Sequence, residues 1–430
     1  MGRKRQSRNL DVYVGTSQVG LYRRAPDGST SFRYDPNWLG SQRAFAISLS
    51  MPLSDRIWSG AQVSSVFDGL LPDDPRVRDK IAAREQAESG ATFDLLAAIG
   101  RDCVGALRFV PEGENPGDPT AMAARAISDE EIAQRLAALG TSPLGIQGEE
   151  DEFRVSLAGV QEKTALLRLN GAWHLPLGPT PTSHIFKPAL KEGPNGADFS
   201  DMPWNEWTCL EFCRALGLDA AHAEVLRLGG DPVLVVARFD RRWQDGILYR
   251  LPQEDLCQAF GVPPTRKYQS DGGPGIVEVM QLLNGAIAPY EDRLRFMKAQ
   301  IVFWLLAAID GHAKNFSVFL SPGGFYLTPL YDVMSAAPYP ELSDHKVRLA
   351  MALGDNNHYR VKEIMPRHFY QTGRKAGLRN ADIDDLFEAL RNKIGDALAK
   401  VEALAGQADV PDTTVGAILQ GIHDRARRLE

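Results

Sequence analysis

The chain has 430 residues, with 48 Lys and Arg against 55 Asp and Glu and a formal net charge of −7. At about 100–200 residues per domain this length predicts two to three structural units, and 44% hydrophobic with 24% charged residues excludes the disordered and fibrous classes. The acidic total argues against unaided binding to a phosphate backbone unless basic residues gather on one face, and no apolar run approaches the roughly 18–20 residues of a membrane span.

The N-terminus, Met1 to Arg8, is basic but leads straight into a strand-like pattern, so no signal peptide is expected. Gln6 stands where N-myristoylation requires Ser or Thr. From Asp11 to Leu53 the pattern is one of short strands, with Val12 and Val14 and then Val19 and Leu21 flanking a turn at Gly15–Gln18. A helical stretch around Ala83–Ala98 is followed by strand character at Val104–Val110 and by a linker at Pro111–Thr120, dense in Pro, Gly and acids. Ser128 and Glu131 form a capping box ahead of Ile132, Leu136 and Leu139 at helical spacing. Strands are predicted at Phe153–Leu157, Thr164–Leu169 and Ala172–Leu177, the last two joined by Asn170-Gly171, a strong hairpin signal. Ser183–Leu190 and Pro232–Asp240 read as further strands, with a helix at Trp204–Leu216 between them. Beyond Asp255 the pattern is mostly helical apart from a strand-rich insert at Phe316–Tyr331. A strand-rich half joined to a helical half predicts an α+β arrangement with an interdomain cleft.

The sharpest chemical signal is Asp310-Gly-His-Ala-Lys-Asn315, which follows the apolar stretch Arg293–Ala308. An Asp and an Asn five residues apart in a tight loop have the spacing of a kinase catalytic loop, in which the Asp accepts the substrate hydroxyl proton and the Asn holds magnesium. Asp332, 17 positions further on, could ligate magnesium bridging the nucleotide phosphates. Read singly, Asp310 would cap a helix and Asp332 begin another. Ala158–Lys163, between two predicted strands, suits a phosphate-covering loop, although its single glycine fits a plain hairpin as well. Lys187 at a strand end could reach the phosphates, and Glu206, 19 residues later, could pair with it. The order along the chain is that of a protein kinase: loop, lysine, helix glutamate, Asp, Asn, Asp.

Several longer stretches make the resemblance specific. Ser156–Ala165, Arg238–Trp243, Leu251–Asp255, Lys267–Gly275, Asp310–Ser317 and Leu330–Asp332 resemble HipA, the toxin of HipBA toxin–antitoxin modules, and the resemblance runs from the N-terminal strands to at least His368. It implies a two-lobed serine/threonine kinase using ATP and magnesium, with an N-terminal strand-rich subdomain at 1–126, a kinase N-lobe at 127–253 and a helical C-lobe at 254–430. Asp310 is then the catalytic base, and Asn315 and Asp332 hold magnesium. Ala158, Gly159, Val160, Gln161, Glu162 and Lys163 cover the phosphates, and Lys187 contacts the nucleotide. Ala237, Arg238 and Phe239 lie beside adenine, and His312, Ala313, Lys314 and Tyr331 complete the nucleotide site. At Ala237 a glutamate would be expected, but adenine recognition there uses backbone groups. The resemblance further implies autophosphorylation at Ser156, a HipB-type helix-turn-helix antitoxin through which operator DNA is reached, and an aminoacyl-tRNA synthetase, typically the glutamyl enzyme, as substrate.

The four cysteines (Cys103, Cys209, Cys213, Cys257) include no C-x-x-C pair, which points to a reducing compartment; Cys209 and Cys213 read as small core residues. A cytoplasmic location without membrane association is expected. Basic clusters at Gly373–Arg379 and Arg425–Arg428 read as solvated helix faces with accessory phosphate contact as the other possibility. Pro263–Gly275 reads either as a substrate or activation loop or as a long connection. Two further functions remain open at this level: a small-molecule phosphotransferase, which would share the Asp-x4-Asn loop, and a nucleotide-binding corepressor without catalysis.

Overall fold

A computed structural model describes residues 8–139, 155–159, 161–190, 198–342, 347–408 and 410–429. They form two compact units: one drawn from residues up to Lys187 with Arg238–Thr265 and Val318–Gly324, the other from Pro188–Ala237, Arg266–Ser317 and Phe325 onward.

In the first unit, β1 (Asn9–Val14) and β2 (Ser17–Arg24) form the expected hairpin with Val14 opposite Ser17. Gly15, at φ +57°, supplies the left-handed turn position. With β3 (Thr30–Tyr34), β4 (Trp58–Ser59) and β5 (Leu107–Pro111) they make a sheet of order β4-β3-β2-β1-β5. Tyr22, Phe32 and Phe109 from this sheet are buried against Phe67 and Phe93 from the helices Ala61–Asp68 and Thr92–Ile99. Phe67 is central, with ring centroids 4.4 Å from Tyr22, 5.3 Å from Phe109 and 5.6 Å from Phe32. The helix predicted over Ala83–Ala98 is instead two, Pro75–Arg84 and Thr92–Ile99. Ser89 breaks the run, its Oγ accepting from the Ala91 N–H and donating to Asp94, the local bonding by which serine competes with helix.

A second sheet contains β6 (Ala124–Ala126), β7 (Thr164–Leu169), β8 (Ala172–Pro176) and β9 (His184–Pro188), antiparallel in the order β9-β7-β8-β6. Asn170 (φ +50°) and Gly171 (φ +82°) make the two-residue turn, and Ser128 caps Asp129–Ala138 with both arms of its capping box. Phe153 and Arg154 of the predicted strand lie outside the described residues. Among the described residues Val155 makes an isolated bridge to Asp102. The alternation that would leave Ser156 half-exposed is therefore absent: Val155, Ser156 and Leu157 are all buried.

Five charged side chains are buried together beside this segment. Asp102 accepts from Arg241 Nη2 (2.9 Å) and Arg250 Nε (2.8 Å) on one oxygen and from the Thr182 hydroxyl (2.8 Å) on the other. Asp240 accepts from Arg238 Nη2, Arg241 Nη1 and the Gly105 N–H at 2.7–2.9 Å. Burial alone would raise the Asp102 pKa, but the attraction of Arg241, Arg250 and Arg238 outweighs it and holds the carboxyl well below its ordinary range. The strand predicted over Pro232–Asp240 ends at Ala237 because Arg238 and Asp240 turn into this cluster.

Glu254 provides the opposite case. It is buried, accepts from the Leu49 N–H through Oε1 (2.7 Å) and has no partner at Oε2 among the described residues, so burial raises its pKa to about 8. The folded state therefore holds this proton between the unfolded value of 4.5 and about 8. Its stabilising contribution is full below that window and is lost as pH rises through it. Glu254→Gln, which keeps the acceptor and removes the charge, should match wild type in thermal unfolding near pH 5 and exceed it increasingly toward pH 9. Parallel pH profiles for the two proteins would refute this.

The second unit carries the hairpin β10 (Ala223–Leu228) and β11 (Asp231–Ala237) and the helix Met202–Ala215, whose Cys209 and Cys213 are buried and unlinked. The apolar helix Pro289–Leu306 ends at Ala307, left-handed at φ +51°. Within the predicted insert, strands occur at Ser317–Ser321, mostly part of the first unit, and at Gly324–Leu327, mostly part of the second. A further hairpin, Arg348–Leu353 with His358–Arg360, was not expected. Its run Leu349–Leu353 is buried throughout, and periodicity does not distinguish such a strand from a buried helix. Helices Pro366–Lys375, Asn380–Gln407 and Asp412–Ala426 follow. Among the described residues no helix is long and apolar enough to cross a membrane.

Candidate active site

The Asp310–Asn315 loop is built on the end of the Pro289–Leu306 helix. Gly311 is required by close approach, since a Cβ there would lie 2.4 Å from the Phe303 ring. The Asp310 carbonyl accepts from the His312 N–H and from Asn315 Nδ2, each at 2.8 Å, and the Asn315 N–H donates to the His312 carbonyl at 2.9 Å. The Asn315 amide nitrogen thus closes the loop, and Oδ1 is its remaining ligating atom. His312 is 2% exposed with Nε2 3.5 Å from Asp310 Oδ1. Burial lowers its pKa, against the opposing attraction of Asp310, so the ring is neutral near pH 7. Ala313 and Lys314 are buried in the same turn.

Tyr331 braces this loop. Its hydroxyl donates to the Lys314 carbonyl (2.9 Å) and meets Ser317 Oγ at 2.6 Å. Asp332 follows in a left-handed conformation, φ +56°, uncommon for a residue with a side chain. The chain is pinned on both sides of it. Leu330 exchanges backbone bonds with Asp219 and Ala221 (2.8 Å each), while Ser335 bonds through its N–H to Asn205 and through its hydroxyl to the Leu306 carbonyl. Strained backbone held by its surroundings in this way is characteristic of functional positions. Asp332 begins no helix, contrary to its reading as an isolated residue. Asp310, His312, Asn315, Tyr331 and Asp332 therefore lie in one unit on interlocking backbone, and two oxygen-bearing side chains, Asn315 and Asp332, have the hard donor chemistry that suits magnesium.

Sequence reasoning missed Tyr268. Its hydroxyl donates to Asp310 Oδ1, and its ring stands edge-on to His312 with centroids 4.8 Å apart. Neither residue type nor spacing links it to a position 42 residues away; the only pointer was that Lys267–Gly275 was among the stretches carrying the family resemblance. The stretch Pro263–Gly275 is neither a long open connection nor featureless, since it contains short turns of helix at Pro264–Arg266 and Gln269–Asp271. Tyr268 and Asp310 also line a largely apolar cavity of about 450 Å³ with Ile309, Met334, Tyr339 and Tyr359.

The other expected groups belong mainly to the first unit. In the loop Ala158–Lys163, Val160 lies outside the described residues. The Gly159 carbonyl accepts from the Asp73 N–H (3.1 Å), and Lys163 Nζ donates to the Ala158 carbonyl (2.6 Å); Gln161 and Glu162 are half-buried. Ser156, just before the loop, is 0% exposed, donating from its hydroxyl to the Leu70 carbonyl (2.6 Å) and from its N–H to the Asp102 carbonyl (2.9 Å). Lys187 is buried at the end of β9. In the segment expected beside adenine, the Ala237 N–H donates to His222 and the Arg238 N–H to Ser183, so both donors serve the fold. The Arg238 side chain belongs to the buried ion cluster, and Phe239 packs edge-on to Phe319. Glu206 is buried within the Met202–Ala215 helix of the second unit.

A mixed strand-and-helix fold with this loop is that of a kinase. Comparison with known proteins agrees: the family model for the HipA N-terminal domain matches residues 10–110, and that for the HipA-like C-terminal domain matches residues 155–398. The chain belongs to the HipA family. It is 35% identical over 353 residues to the putative kinase Y4mE of Sinorhizobium fredii, covering 81% of each chain. It is 28% identical over 363 residues to the serine/threonine-protein kinase toxin HipA of Shewanella oneidensis, covering 80% of this chain and 78% of that one. The fold matches HipA in the solved Shewanella oneidensis complex of HipA, HipB and operator DNA with a TM-score of 0.79 at 24% identity, over 98% of this chain and 100% of the other.

Proposed function

We propose that this kinase transfers the γ-phosphate of ATP to a serine hydroxyl of a protein, with Asp310 accepting the proton. The observation that carries the reading is the loop itself: one unit presents the Asp310 carboxylate, an Asn315 whose amide nitrogen is spent on the Asp310 carbonyl, and Asp332 held in left-handed backbone. Asn315 and Asp332 are the residues that would hold magnesium. Magnesium bound there would offset the charge of the transferring phosphoryl group. Ala158–Lys163 covers the phosphates, Lys187 reaches them, and Ala237–Phe239 with His312, Ala313, Lys314 and Tyr331 line the rest of the nucleotide site.

In this reading Ser156 is a site of self-phosphorylation. Its hydroxyl is buried against the Leu70 carbonyl, so the segment has to leave its place for the reaction. A phosphate of about −1.5 to −2 charge cannot return beside that carbonyl, and the kinase is left switched off. The partner is a HipB-type helix-turn-helix antitoxin that brings the kinase to operator DNA, and the substrate is an aminoacyl-tRNA synthetase, the glutamyl enzyme, whose modification arrests growth. The toxin relative and the HipA–HipB–DNA complex of the fold neighbour support the antitoxin partner, while the synthetase substrate rests on the family resemblance alone.

The test is incubation with labelled ATP in a cell lysate, with and without magnesium, followed by phosphopeptide mapping. The expected result is magnesium-dependent label on a synthetase serine and on Ser156, and neither in Asp332→Ala. Label on small molecules alone would replace the protein-kinase reading, and label on the kinase at another residue would remove the Ser156 switch.

A further inference from the structure

We propose that Tyr268 is a positioning residue for phosphoryl transfer, its hydroxyl fixing one oxygen of the Asp310 carboxylate so that the other faces the attacking serine. This rests on Asp310 being the proton acceptor.

Tyr268 donates to Asp310 Oδ1, the same oxygen that lies 3.5 Å from His312 Nε2. Neither His312 nitrogen has a hydrogen-bond partner among the described residues, so the Tyr268 hydroxyl is the donor that anchors this oxygen. A carboxylate has two oxygens with about four lone-pair sites; with Oδ1 bonded, Oδ2 is left for the substrate. The tyrosine is in turn fixed by its backbone. Its carbonyl accepts from the Asp271 N–H (3.0 Å) and the Gly273 N–H (2.9 Å), and the preceding Lys267 carbonyl accepts from the Ala313 N–H of the catalytic loop (3.2 Å). The following Gln269 accepts from the Ala352 N–H through Oε1 at 2.6 Å. Gly275 lets the Gln269 amide lie close to the backbone, since a Cβ there would come within 2.4 Å of it and push it aside. Residues 267–275 are therefore tied to the loop they serve and to the strand Arg348–Leu353. A tethered segment of this kind suits holding a carboxylate rather than plugging a site and swinging away. The Tyr268 ring, edge-on to His312, sets the direction of the hydroxyl.

Such an orienting bond acts through geometry, and small displacements of a reacting group cost up to about a hundred-fold in rate. Tyr268→Phe keeps the ring contact and loses the donor. Its kcat should fall about ten- to a hundred-fold, with KM for ATP and for the protein substrate and the melting temperature unchanged. Replacing Tyr268 by 4-aminophenylalanine, which restores a donor at the same place, should recover most of the rate. In an Asp310→Asn background Tyr268→Phe should cost nothing more, because its effect passes through that carboxylate. An unchanged kcat in folded Tyr268→Phe overturns the proposal, as does a raised kcat or a lowered substrate KM, which would mark the tyrosine as a plug. A full additional loss in the double variant would overturn it too. If Asp310→Asn alone retains activity, it is the assignment of the base that fails, a result distinct from these.

Discussion

Asp310→Asn should fold as the wild type does and lose phosphoryl transfer by at least about 10²-fold, the lower end of what a general base contributes. The carbonyl of residue 310, which accepts the bonds from the His312 N–H and Asn315 Nδ2, is backbone and survives the change, so the loop closure is retained. The substituted amide can still accept from the Tyr268 hydroxyl through its oxygen. Its nitrogen, however, carries no lone pair basic enough to take the serine proton, and the negative charge facing the attacking oxygen is gone. Nucleotide binding should persist, because the ligating oxygens assigned to magnesium belong to Asn315 and Asp332. Single-turnover transfer together with calorimetric ATP titration separates the two effects. Near-wild-type transfer by a folded variant would remove Asp310 from the mechanism.

Asp102→Asn should cost about 3–5 kcal/mol of stability, the range for breaking a buried ion pair from one side. Arg238, Arg241 and Arg250 all point at this carboxylate, and arginine does not relieve the loss by giving up its proton. Among the described residues only Asp240 would remain to face them. The carboxylate joins stretches far apart in sequence, since its partners run from Thr182 to Arg250 while its own carbonyl receives the Ser156 N–H. Its loss should therefore also loosen the Ser156 segment, measurable as faster amide exchange at residues 156–159. Because its folded pKa is depressed, the wild-type contribution is present above the unfolded value of 3.8 and is lost as pH falls toward the folded one. Denaturant unfolding of the two proteins near pH 7 is the measurement. A difference below about 1 kcal/mol would mean that desolvating five charges cancels their attraction.

By itself the sequence determined the features that rest on local chemistry. The first hairpin, its turn expected at Gly15–Gln18 and found shorter at Gly15-Thr16, the Asn170-Gly171 hairpin and the Ser128 capping box each depend on residues within four positions of one another, and each is present. The Asp310–Asn315 loop was legible for the same reason, since the Asn315 amide reaches back only five residues to the Asp310 carbonyl. Tertiary structure decided whatever depends on partners distant in the chain. The pattern around Ser156 alternates as a half-exposed strand would, yet Leu70 and Asp102 close over it and bury both faces. Arg238 looked like part of a strand, yet its side chain pairs with Asp240 and turns into the buried cluster around Asp102, 136 residues away. Tyr268 acquires its place beside Asp310 because the Ala313 N–H holds the preceding carbonyl and Ala352 the following side chain. Spacing along a chain encodes bonds within a turn or a hairpin, whereas burial, charge pairing and the aim of a hydroxyl are set by whatever the rest of the fold brings alongside.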